Sequence, residues 1–128
     1  MIKIDPRSSK PIYEQITDGI KENIMKGLLK PGDKIPSIRE LSKVLSANPN
    51  TVSKAYIELE RQKVIETFTG KGTFVSSSYK PSADEDRIAD LHKLIKSAII
   101  ESHYLGFNRE NFIELVDCIY NEIEKGAK

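Results

Sequence analysis

Isoleucine recurs at every fourth position from Ile12 through Ile16 and Ile20 to Ile24, with Tyr13 beside the stripe. That spacing predicts an amphipathic helix, with Pro11 suited to its first turn and Gly27 to its stop. Lys30-Pro31-Gly32-Asp33 then reads as a tight turn. A shorter apolar set, Ile38, Leu41, Val44 and Leu45, follows Ser37, which with Glu40 has the spacing of a capping box. A second helix is therefore expected to end near Ser46. Asn48 and Pro49 restart a helix as N-cap and first-turn proline, with Val52, Ala55, Tyr56 and Leu59 facing inward. Two short helices with so small a gap between them cross steeply, as in a helix-turn-helix.

The period then changes. Ile65 to Thr69 and Thr73 to Ser77 are β-rich runs around Gly70-Lys71-Gly72, which predicts a hairpin with a lysine at its tip. Ile2, Lys3 and Ile4 form another, shorter β-compatible run. Ser76 to Ser82 has the composition of a linker. Beyond it, Ile88, Leu91, Ile95, Ala98, Ile99 and Leu105 mark a long amphipathic helix ending near Gly106. Asn108 is placed to cap a last helix carrying Phe112, Leu115, Val116, Ile119, Tyr120 and Ile123. No internal repeat interrupts this order. The expected fold class is α+β and mainly helical: a winged helix-turn-helix with a β-hairpin wing over 1–79, then a two-helix dimerisation tail over 80–128.

Composition narrows the class. The 128 residues are 38% hydrophobic and 30% charged, which suits a globular chain. No apolar run reaches the roughly 20 residues of a membrane span, and the N-terminus lacks the apolar stretch of a secretory signal. Cys118 is the single cysteine, so no intrachain disulfide forms, which fits a reducing cytoplasm. The net charge of +1 conceals a division. Residues 1–79 hold 13 Lys/Arg against 9 Asp/Glu, and residues 80–128 hold 7 against 10. The positive field thus lies on the half with the helix-turn-helix pattern.

That half also holds the candidate chemistry. A helix fits the major groove, and residues near its N-terminus reach base edges. Asn50, Thr51, Ser53 and Lys54 sit at that end of the second helix of the pair, free of its apolar face. Asn addresses adenine in a two-pronged way, Ser and Thr are tolerant readers, and Lys54 suits a phosphate or a guanine. An ordinary solvated helix face is the plainer alternative. Arg39 is placed to clamp a phosphate at a helix N-terminus; its plainer alternative is a surface salt bridge with Glu40 or Glu58. At the wing, Gly70 and Gly72 allow the backbone a close approach and present Lys71 to a groove or phosphate.

In order, these residues resemble a known family. The run from "IYEQITDGIKENIMKGLLKPGDKIPSIRELS" through "NPNTVSKAYIELERQKVIETFTGKGTFV" is similar to the DNA-binding domain of GntR-family bacterial transcription regulators. The elements that carry the likeness are "G-x-L-x-P-G-D-K-I-P-S-x-R-E-L", "T-V-x-K-A-Y-x-x-L-E" and "G-K-G-T-F-V", covering about half the chain. The "P-I-Y-E-Q-I" opening, the "N-P-N-T-V" turn and the short two-helix tail resemble the YtrA subfamily, whose members are small dimeric regulators, often repressors encoded beside transporter operons. The resemblance implies DNA contacts by Arg39, Asn50, Thr51, Ser53, Lys54, Gly70 and Lys71. Some other members read guanines with arginines at the positions of Pro49 and Ser53; this chain has neither, so that operator preference does not carry over.

Two isolated amphipathic helices cannot bury enough apolar surface alone. The expected partner is the same tail of a second chain, through Ile88, Leu91, Ile95, Ile99, Phe112, Leu115, Val116, Ile119 and Tyr120. Such a homodimer would read a palindromic operator in double-stranded DNA. Folding back onto the winged domain is the alternative for the tail. Tyr104 and Phe107 are read as core rather than as a small-molecule pocket, and Cys118 as packed. A small-molecule effector is compatible with the sequence, which identifies none. His92 and His103 lie roughly 16 Å apart along a helix and cannot share an ion within one chain. No cofactor or metal is expected, and no catalytic triad or phosphate-loop spacing is present, so the chain reads as no enzyme. The alternative function is a winged-helix protein-interaction module whose tail docks another protein.

Overall fold

The computed structural model describes residues 2–78 and 84–125. The first helix, α1, spans Ile12–Met25 with Pro11 as its N-cap, one position earlier than the first turn. Gly27, at φ 80, ends it: Gly27 N–H bonds Ile24 O at 3.1 Å and Leu28 N–H bonds Asn23 O at 2.9 Å. These are the paired bonds of a Schellman motif. Ile16 and Ile20 are fully buried, while Ile12 and Ile24 are partly buried.

Helix α2 spans Ile38–Leu45 and α3 spans Pro49–Arg61. The capping box at Ser37 forms in full: Ser37 Oγ accepts Glu40 N–H at 3.1 Å, and the Glu40 carboxylate accepts Ser37 N–H at 3.2 Å. Asn48 caps α3, its side-chain oxygen accepting Asn50 N–H at 2.8 Å. Val52, Ala55, Tyr56 and Leu59 are all buried, and α3 packs against both α1 and α2. The apolar face of α2 is narrower than its sequence suggests, because Val44 is 75% exposed. Leu41 and Ser42 define the buried direction, and Val44 lies about 110° from the middle of that face at 100° per residue.

The strands are β1 (Lys34–Ile35), β2 (Ile65–Phe68) and β3 (Gly72–Val75), in the order β1-β3-β2 and antiparallel throughout. Thus the hairpin forms, and a third strand that the periodicity did not reveal joins its free edge. The N-terminal run forms no strand. Ile2 instead packs over Gly19 of α1, where a side-chain carbon would approach Ile2 to 3.0 Å. Its neighbouring backbone is held by a side chain: Asp5 N–H donates to Gln15 Oε1 at 2.7 Å, and Gln15 Nε2 donates to Asp5 O at 3.0 Å. The backbone of Asp5, just after the run, is therefore engaged by α1.

The chain divides into two compact units, residues 1–79 with 125–128 and residues 80–124. The first is a winged helix-turn-helix. Of the expected linker, Tyr79 to Ser82 lie outside the described residues. The second unit contains α4 (Glu85–Tyr104) and α5 (Arg109–Lys125). Gly106, at φ 84, closes α4, and Asn108 and Asn111 cap α5 reciprocally, each backbone N–H bonding the other's side-chain oxygen at 3.1 and 2.9 Å. The two helices do not pack along one another. Ile88, Leu91, Ile95 and Ile99 lie on one stripe of α4 and are each about half exposed. On α5, Phe112 and Val116 are half-buried, whereas Leu115, Ile119 and Tyr120 are exposed. Two expectations are corrected here. Tyr104 is 82% exposed and Cys118 is exposed, because neither helix covers the other's apolar side. Among the described residues, no helix is long and apolar enough to cross a membrane.

Candidate nucleic-acid interface

At 100° per residue the buried stripe of α3 leaves Asn50, Lys54, Ile57 and Arg61 on the opposite side, all exposed. Asn50 stands at the N-terminal end of that stripe, next to the capping Asn48. Thr51 and Ser53 flank it and are only half-buried. Thr51 borders a shallow hollow with Ile4, Pro6, Ile12, Leu45 and Asn48. Lys54 is less free than its position suggested, since its ammonium sits 4.1 Å from the centre of the Tyr13 ring. That cation–π contact favours a position of the charge beside the stripe, by about 0.5–1 kcal/mol at an exposed site. Tyr13 thus joins the site, although its sequence position marked it only as a neighbour of the α1 stripe.

Arg39 is exposed in the first turn of α2 and makes no ion pair with a described residue. Both carboxylates that would have paired with it are engaged elsewhere. Glu40 closes the capping box, and the hydrogen bonds from Ser37 lower its pKa. Glu58 accepts Arg61 through Nε at 2.8 Å and Nη2 at 2.6 Å, and Gln62 at 2.9 Å. These bonds lower the Glu58 pKa to about 2. The Arg39 guanidinium is therefore without an ion-pair partner among the described residues.

The segment that carries Arg39 is tied to α3 by one buried group. Tyr56 Oη donates to Pro36 O at 2.6 Å, and burial raises its pKa. Tyr56→Phe is expected to remove about 1 kcal/mol of stability by leaving that carbonyl unpaired. The thermal midpoint should then fall by about 4–8 °C. An unchanged midpoint would show that the bond does not hold the two elements together.

The wing is short and braced. Lys71 N–H bonds Phe68 O at 2.9 Å across a turn whose third residue is Gly70, at φ 79. A side chain there would strain the turn. Gly72 follows at φ 121, and Lys71 between them is exposed. Thr67 Oγ1 donates to Glu60 Oε1 at 2.6 Å, anchoring the hairpin to α3. Arg39, Asn50, Lys54 and Lys71 are thus all exposed cationic or amide groups carried on braced elements of one compact unit.

The family model for bacterial regulatory proteins of the gntR family matches residues 12–75, the span of these elements. The chain belongs to the GntR family. It is 48% identical to the HTH-type transcriptional repressor YtrA of Bacillus subtilis, over 100% of this chain and 98% of that one. A solved structure described as a transcriptional antiterminator from Listeria monocytogenes EGD-e superposes with a TM-score of 0.87 at 44% identity, covering 97% and 92% of the two chains. The DNA-binding domain of AraR in complex with an operator superposes with a TM-score of 0.53 at 29% identity, covering 59% of this chain and 95% of that one. As a YtrA-like GntR-family member, the chain is a transcriptional regulator with a winged-helix DNA-binding domain, and not an enzyme.

Proposed function

We propose that this GntR-family regulator is a cytoplasmic homodimeric repressor that binds a palindromic operator. Arg39, Asn50, Thr51, Ser53, Lys54, Gly70, Lys71 and Gly72 form its DNA surface, and the tail forms its dimer surface. The observation that carries the reading is the exposed apolar stripe of α4, from Ile88 to Ile99, beside an α5 that does not cover it. A contiguous apolar stripe left open on a folded chain marks a surface for a partner. A second copy supplies the same stripe, and two-fold symmetry then sets two α3 helices on two half-sites. Repression follows with the least added machinery, since occupancy of a promoter needs only DNA affinity. The 48% identical YtrA is named a repressor.

Selection of duplexes from a random pool, with the solution mass of the bound species, tests this directly. A two-fold symmetric consensus bound by two chains is expected. An asymmetric consensus bound by one chain would overturn the dimer. Within the same assay, Lys71→Ala should weaken binding to all duplexes alike and reduce the salt dependence by about one charge. A change of sequence preference with an unaltered salt dependence would remove Lys71 from the phosphate contacts.

A further inference from the structure

We infer that Lys34 is a second cation of the wing, delivered to the DNA backbone from the neighbouring strand. The inference rests on the duplex-binding reading above and adds a residue to it. In the sheet Lys34 pairs with Phe74 and Ile35 with Thr73. Directly opposed residues share a face of a sheet, as do residues two apart on one strand. Lys34, Phe74 and Gly72 therefore lie on the same face. Ile35, on the other, is buried in the core at 3% exposure. A side-chain carbon placed on Gly72 would lie 2.8 Å from Lys34 Cε and 3.5 Å from Nζ. The Lys34 side chain thus runs diagonally across β3 into the space that the missing side chain leaves, and its ammonium arrives beside the residue that follows Lys71.

Gly72 consequently has two functions. Its φ of 121 shapes the hairpin, and its lack of a Cβ makes a seat for Lys34. The ammonium is not consumed by the fold. Lys34 is exposed and forms no ion pair with a described residue. The nearest competing role is the field of Glu40, but that carboxylate is already held in the capping box by Ser37 N–H. Two lysines at one end of a hairpin, one on the tip and one on the adjoining strand, match a run of phosphates rather than a base edge. The wing then contributes two charges to affinity and none to sequence choice.

The test uses the full-length chain, a duplex of arbitrary sequence several helical turns long, and a salt titration of affinity. Lys34→Met should lower the slope of log K against log salt by about one, as Lys71→Ala does, and the double variant by about two. Lys34→Arg should retain the wild-type slope, which separates loss of charge from loss of packing. If Lys34→Met leaves the slope unchanged while Lys71→Ala lowers it, the role of Lys34 is overturned and the duplex reading stands, even if affinity or stability has fallen. A wild-type chain with no salt-dependent duplex binding would overturn both.

Discussion

Ile95→Asp combined with Ile99→Asp is expected to give a folded monomer whose operator affinity falls by about 100- to 10,000-fold, the gain usually lost when two linked sites bind independently. Both residues lie at the middle of the α4 stripe and are half exposed in the single chain, at 48% and 50%. A carboxylate there remains hydrated in the monomer and costs it little. In a dimer the same group would be buried against apolar side chains with no partner charge, which is strongly unfavourable. The winged unit has its own core, from Ile16 and Ile20 to Leu59 and Ile65, so its helical signal and thermal transition should survive. Sedimentation equilibrium gives the mass, and titration against whole and half operators gives the affinity. A variant that stays dimeric would place the dimer contact elsewhere. A monomer that kept full operator affinity would break the link between dimerisation and recognition.

Asn50→Ala should relax the base preference at one position of each half-site by about 1–3 kcal/mol, a 5- to 150-fold loss of discrimination. Asn50 is exposed at the first turn of α3, opposite the stripe buried by Val52, Ala55, Tyr56 and Leu59. Its amide carries a donor and an acceptor side by side, the pair that matches the adenine edge. The helix cap belongs to Asn48 and accepts the backbone N–H of residue 50, so it survives the substitution. Because the side chain is neutral, the salt slope should remain that of the wild type, which distinguishes this residue from Lys34 and Lys71. Competition between the selected operator and its single-base variants reads the effect. Variant ratios identical to those of the wild type would remove Asn50 as a reader.

The AraR complex, of a DNA-binding domain on an operator, covers 59% of this chain. The proposed dimer rests on the exposed stripe of α4.

Local chemistry made much of this protein legible in sequence. The four-residue recurrence of Ile12 to Ile24, the Ser37–Glu40 box, the Asn48-Pro49 start and the Gly70-Lys71-Gly72 hairpin each depend on residues a few positions apart. Their partners are fixed by covalent spacing, and each forms as expected. Tertiary structure decided what depends on distant partners. The two-residue β1 has no period to read and exists because β3 offers it an edge. Val44 fits the α2 pattern but faces solvent, because the direction of burial is set by α3 and not by α2 itself. Lys54 over the Tyr13 ring, Tyr56 bonded to Pro36, and Lys34 seated at Gly72 join residues between 20 and 41 positions apart. Sequence spacing determines which residues share a face; only packing determines what that face meets.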